Sequence, residues 1–96
     1  MNVATTILAQ LGGPRFVNMT GADYFAADAN SLKFMFKGCK TVNKCLIVLN
    51  EWDAYDVSFY RLYGMKCPQV GETQTGVQGE NLQTVFTEAT GLDCAL

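Results

Sequence analysis

The most constraining stretch of the chain is its middle, where the apolar residues change from one face to two. In Ser31–Lys37, Leu32, Phe34 and Phe36 alternate with Lys33, Met35 and Lys37. A period of two with one apolar and one polar row describes a strand buried on one side. Lys44–Asn50 follows, with Cys45, Ile47 and Leu49 in one row and Leu46 and Val48 in the other. A strand apolar on both faces belongs in the interior of a sheet. Tyr55–Tyr63 alternates again, with Tyr55, Val57 and Phe59 against Asp56, Ser58, Tyr60 and Leu62. The connections Gly38–Asn43 and Glu51–Ala54 are too short for crossovers, so neighbouring strands run antiparallel.

The two ends of the chain read differently. Ala4, Ile7, Leu8 and Leu11 fall on one stripe of a helix over residues 2–11, with Asn2 as a cap and Gly12 and Pro14 as a stop. Leu82, Val85, Phe86 and Ala89 mark a second helix over Gly79–Thr90. Glu80 lies in its first turn, Gly91 ends it, and Leu92 is placed to close the cap. Between them, Arg15–Thr20 reads as a short strand, Gly21–Asn30 as a turn-rich segment carrying Tyr24 and Phe25, and Gly71–Gln78 as a polar loop. Met65–Val70 reads as a fifth strand that Pro68 confines to an edge or a bend. The expectation is a single α+β domain over residues 1–96. It is a two-layer sandwich, with an antiparallel meander of four or five strands and both terminal helices on one face.

Composition limits the chemistry. None of the 96 residues is histidine, which removes the usual general base near neutral pH and the commonest metal ligand. The cysteines, Cys39, Cys45, Cys67 and Cys94, form no C-x-x-C pair. They read as separate reduced thiols rather than zinc ligands or disulfides. Gly12-Gly13-Pro14 and Met19-Thr20-Gly21-Ala22 lack phosphate-loop spacing and read as turns. No cofactor, no metal and no catalytic residue is expected, and the chain is read as a non-enzyme.

Charge is unevenly spread. Residues 33–66 hold six bases and three acids, residues 67–96 hold four acids and no base, and the net charge is −2. A sheet with helices on one face leaves the other open, and Lys33, Met35, Lys37, Tyr60 and Leu62 fall on or beside that face. They form a candidate partner-binding surface, alternatively covered by a second copy in a homodimer. Trp52, the only tryptophan, sits among Glu51, Asp53 and Asp56. It either packs back onto the sheet or anchors a partner. The basic residues with Tyr60 leave nucleic-acid binding open as an alternative. The first ten residues carry no Lys or Arg, and Cys45–Leu49 is the longest strongly apolar run. Neither a secretory signal nor a membrane span is expected, and the location expected is the cytoplasm.

The whole succession also carries a resemblance. It includes Ile7-Leu8-Ala9-Gln10-Leu11-Gly12-Gly13, Phe16, Met19-Thr20-Gly21-Ala22 and Asn30-Ser31-Leu32-x-Phe34. It continues through Leu49, Tyr55-Asp56-Val57-x-Phe59 and Gly76-Val77 to Leu82-x-x-Val85-Phe86-Thr87-x-x-Thr90-Gly91-Leu92. This pattern resembles a group of small proteins of bacteriophages and other mobile elements, across nearly the whole chain. Asp93 departs from the tyrosine that follows Gly-Leu in many members of the group. The group has no established activity, so the resemblance implies no site. It implies an accessory protein made in a bacterial host's cytoplasm, with a host or phage protein complex as partner. An anti-CRISPR-like inhibitor of host defence is its most concrete form. A replication or recombination factor that binds nucleic acid is the alternative.

Overall fold

The computed structural model describes residues 3–39 and 41–91. Helix α1 spans Val3–Leu11 and α2 spans Pro14–Thr20. Five strands follow: β1 Asp23–Ala27, β2 Ser31–Met35, β3 Lys44–Leu49, β4 Tyr55–Tyr60 and β5 Gln74–Val77. A 3-10 turn, Gly79–Asn81, leads into α3, Leu82–Thr90. The strands lie in one sheet in chain order, every neighbouring pair antiparallel. The domain is therefore the α+β meander expected. No helix among the described residues is long and apolar enough to cross a membrane.

The core is built from one row of the sheet and the buried stripes of the helices. Leu32 pairs with Ile47 and Phe34 with Cys45 across β2 and β3. Cys45 pairs with Phe59 and Ile47 with Val57 across β3 and β4. These residues join Ile7 and Leu11 of α1, Phe16 of α2 and Leu82 and Phe86 of α3 in one buried cluster. Phe86 touches four rings, with centroids 5.1 Å from Phe16, 6.2 Å from Phe34, 4.9 Å from Phe36 and 6.1 Å from Phe59. Leu49 is only half-buried and packs at the margin of the cluster.

Three segments differ from the sequence reading. Arg15–Thr20 is helical rather than a strand. Pro14 opens α2 at its first position instead of merely stopping α1, and Gly21 closes it in the left-handed conformation, φ 66°. Phe16 and Thr20, four residues apart, are its buried pair, and the Thr20 hydroxyl donates to the Phe16 carbonyl. The second correction is Gly21–Asn30, where Asp23–Ala27 forms the edge strand β1. All five of its residues are exposed, so backbone pairing with β2 and not an apolar row defines it.

The third correction is the last strand. Met65–Val70 makes only isolated bridges, Tyr60 with Gln69 and Tyr63 with Lys66. It forms the return arm of a hairpin that continues β4 through a turn at Gly64 (φ 58°) and Met65. The regular edge strand is Gln74–Val77, inside the segment read as a loop. Pro68 accepts the Arg61 N–H at its carbonyl but has no N–H to return, so this arm pairs with β4 only in part, and Gly71–Thr73 separates it from the regular strand. The C-terminal helix starts with its 3-10 turn at Gly79 and stops at Gly91 (φ 75°), as expected. Asn2 and Leu92, the expected cap and closing contact, lie outside the described residues.

Phe86→Ala removes the ring on which all these elements converge. It is expected to cost about 3–5 kcal/mol, read as a lowered urea midpoint, while Leu49→Ala at the margin costs clearly less.

Candidate functional site

The register assigns the second face of the sheet. Its rows are Ser31, Val48 and Asp56; Lys33, Leu46 and Ser58; and Met35, Lys44 and Tyr60. None of these residues belongs to the core cluster. Lys33 is exposed, whereas Met35, Lys44, Leu46, Val48, Asp56 and Tyr60 are half-buried. Ser58 is buried and shares a 2.8 Å hydrogen bond with Thr73. The central strand thus has one row sealed in the core and one row partly open.

The six residues singled out from sequence divide into groups. Lys33, Met35 and Tyr60 share the open face, with Lys44 between the last two. Leu62 follows just beyond β4, and its backbone is clamped by the Asn43 side chain, which donates to Leu62 O and accepts from Leu62 N. Lys37 has left the strand: its amide donates to Thr20 O, and its stem lies against Gly21. Trp52 stands at the opposite end of the sheet.

The ends of the sheet differ in charge. Lys37 beyond β2, Lys44 at the start of β3, and Arg61 and Lys66 in the hairpin beyond β4 gather at one end. Asp23, at the start of β1, shares that end. Asp28, Glu51, Asp53, Asp56 and Glu80 lie at the other, after β1, between β3 and β4, and after β5. A segment that looks mildly basic in sequence is folded so that its three acids and four of its bases are about a strand's length apart.

Two thiols lie at the basic end. Cys67 is exposed, with its Sγ 3.9 Å from Lys44 Nζ. Cys39 is half-buried, and its Sγ is 3.4 Å from Thr41 Oγ1. Burial alone would push the Cys39 thiol up. Hydrogen bonds from the Thr41 side chain and from the Thr41 and Val42 backbone, with the charge of Arg61, outweigh it, so its pKa lies below the ordinary thiol value. Cys45 is buried in the core. Among the described residues no group of three or more ligating side chains could hold a metal ion.

At the acidic end Asn50 organises the loop. Its Oδ1 accepts from the amides of Trp52 (2.8 Å) and Ala54 (3.2 Å), and its Nδ2 donates to Asp56 Oδ1 (3.1 Å). Its backbone N–H donates to Ala54 O and its carbonyl accepts from Asp53 N. The turn holds Asp53 at φ 62° and leaves Trp52 80% exposed. Trp52 therefore does not pack back onto the sheet. A concavity of about 610 Å³ beside it is lined by Glu51, Asp56 and Gly76 among others.

A second cavity of about 380 Å³ opens between the loop and α1, lined by Val3, Gln10, Leu49, Asp53, Tyr55 and Gly79 among others. Gln10 lies against Gly79, where any side chain would collide with its amide, and its Oε1 is buried without a hydrogen-bond partner. Burial pushes the Tyr55 phenol above its ordinary value. The Asp53 carboxylate adds to the shift, and a hydrogen bond with Gln10 opposes it.

Sequence reasoning did not single out Lys44, Asn50, Gln10 or Tyr55. An Asn four residues before a small buried residue in a short hairpin loop is a legible Asx-type signal. Gln10 beside Gly79 has none, because the two are brought together only by the packing of α1 on the turn before α3. Comparison of the chain with protein-family models, with curated proteins and with solved structures finds no match.

Two titrations check these environments. Cys39 is expected to alkylate at a lower pH than free cysteine, and Thr41→Val to move its midpoint upward. Asp53→Asn is expected to lower the alkaline midpoint of Tyr55, read by phenolate absorbance. Because the fold favours the neutral Tyr55 phenol, stability is expected to fall as pH rises above the ordinary tyrosine value of about 10.

Proposed function

We propose that this chain is a stoichiometric binding protein that engages a partner protein through the loop bearing Trp52. The observation that carries this reading is the indole itself: 80% exposed, on a backbone already pinned by Asn50. A tryptophan held in place before contact loses little entropy on binding and buries a large apolar area. Such residues dominate binding energies at the centres of interfaces.

The chemistry around it sets the kind of partner. Glu51 and Asp53, both exposed, flank the indole. Exposed carboxylates suit a partner with Lys or Arg on its surface. Complexes that handle nucleic acid present such basic surfaces. In the setting the resemblance implies, the chain is a phage or mobile-element accessory protein in the host cytoplasm. It acts by covering the working surface of a host defence complex, as an anti-CRISPR-like inhibitor does.

The gathering of Lys37, Lys44, Arg61 and Lys66 near Tyr60 and Tyr63 favours a second reading, in which the basic end binds nucleic acid for replication or recombination.

One experiment separates the readings. Tagged protein is used to capture partners from bacterial lysate with and without nuclease, beside Trp52→Ala and Lys37→Glu/Lys44→Glu. A protein partner that survives nuclease and is lost with Trp52→Ala, at unchanged thermal stability, is the expected outcome. Loss of every partner on nuclease treatment, together with salt-dependent binding to oligonucleotides that the lysine variant weakens, would overturn it in favour of the second reading.

A further inference from the structure

We infer that the open face of the sheet is a two-fold interface between two copies of this chain, packed so that the basic end of each lies over the acidic end of the other. The register defines three rows on this face: Ser31, Val48 and Asp56; Lys33, Leu46 and Ser58; and Met35, Lys44 and Tyr60. Two sheets that meet face to face by a two-fold have their axis in the plane between them. If the axis runs along β3, each row meets itself with β2 and β4 exchanged, which sets Lys44 over Lys44 and Asp56 over Ser31. If it runs across the strands through the middle row, the outer rows exchange.

The second arrangement makes the face complementary to itself. Met35, Lys44 and Tyr60 of one copy then lie over Ser31, Val48 and Asp56 of the other. The Tyr60 hydroxyl comes over an Asp56 carboxylate. Lys44, on the neighbouring strand about 4.8 Å away, supplies the opposite charge. Leu46 meets Leu46 at the centre. Beyond the rows, the end carrying Lys37, Arg61 and Lys66 of one copy faces the end carrying Glu51 and Asp53 of the other. Every such contact occurs twice.

Burial and size fit the same interface. Leu46, Val48, Met35 and Tyr60 are half-buried in the single chain, and none is part of its core. The domain measures 33 × 28 × 22 Å, so one broad face offers the roughly 800 Å² per partner that a stable interface takes. Edge-to-edge pairing, the alternative route to a dimer, meets irregular backbone at β1 and β5 alike. The register of β1 shifts between Asp23 and Ala26, where Tyr24 stands at φ 55°, and that of β5 shifts between its partners Tyr55 and Val57, with Gly76 at φ 68°. A bulge of this kind turns an edge away from further pairing.

Lys33 provides an asymmetric test, because it is the one charge in the middle row and meets its own copy. It is exposed, and its stem can carry the ammonium out to solvent, but the contact remains one of like charges. Removing it should strengthen the dimer, whereas removing Lys44 should weaken it. A face that simply attracted acidic molecules would be weakened by both changes.

The dimer carries one Trp52 loop at each end, with Glu51 and Asp53 of that loop beside the basic end of the other copy. The test is sedimentation equilibrium of the full chain over a range of concentrations and salt, with far-UV circular dichroism to confirm folding. A monomer–dimer equilibrium that salt weakens is expected. Lys44→Asp should raise the dissociation constant about tenfold or more, Asp56→Lys should do the same, and the double exchange should recover most of the loss. Lys33→Ala should lower the constant. Leu46→Arg tests the same face without touching the Asn50–Asp56 hydrogen bond, and should leave a monomer. A chain that is monomeric at every concentration, or larger than a dimer, would overturn the inference. So would a dimer indifferent to Leu46→Arg and Lys44→Asp, or a double exchange as weak as either single one. Because the readout is mass and not capture of a partner, this inference and the Trp52 reading fail separately.

Discussion

The structure depends on the packing of Phe86 against the sheet. Its ring meets Phe16 of α2, Phe34 of β2, Phe36 just beyond β2 and Phe59 of β4. These contacts tie two helices to two non-adjacent strands, with Cys45 of β3 between them. Aromatic rings that meet edge to face at about 5 Å bury large areas in a defined geometry. In a chain of 96 residues, there is room for one such core. Using the row of Leu32, Phe34, Ile47, Val57 and Phe59 to build it leaves Met35, Leu46, Val48 and Tyr60 on the other side. The open face is thus a direct consequence of where the aromatic cluster sits.

Antiparallel order has a second consequence, which is electrostatic. A meander sends every second connection to the same end of the sheet, so residues far apart in the chain become neighbours and residues close in the chain are separated. Lys44 and Asp56 are twelve positions apart and occupy opposite ends. Lys37 and Lys44, at the β2–β3 connection, and Arg61 and Lys66, in the β4–β5 connection, share one end. Linear charge counts therefore describe this molecule poorly. What matters to a partner, or to a second copy, is the field between a basic and an acidic pole.

The parts of the fold that were legible are those whose burial shows as periodicity. β2, β3 and β4 were readable because their alternation is driven by the core, and α1 and α3 because their stripes face it. α2 was written in the sequence by Pro14 and Gly21. Phe16, Val17 and Met19 obscured it, since β-branched and aromatic residues over six positions also fit a strand. The edge strands Asp23–Ala27 and Gln74–Val77 had no apolar row to show, because edge pairing is made by backbone groups that every sequence shares. At the candidate site, the alternation placed Lys33, Met35 and Tyr60 on one face. It could not say that the indole of Trp52 would be held outward, because that follows from five hydrogen bonds made by Asn50.

The sequence by itself determined the fold class, the antiparallel succession of β2, β3 and β4 and most residues of the core. Each of these follows from short-range patterning and from the hydrophobic effect acting on it. Only the tertiary structure decided that Gln10 would lie against Gly79, that Tyr55 would sense Asp53 and that the charges would divide between two ends. It also decided that Trp52 would stand in solvent. These depend on contacts between segments distant in sequence, whose relative positions are set by the closing of the aromatic core and not by any local preference of the residues concerned.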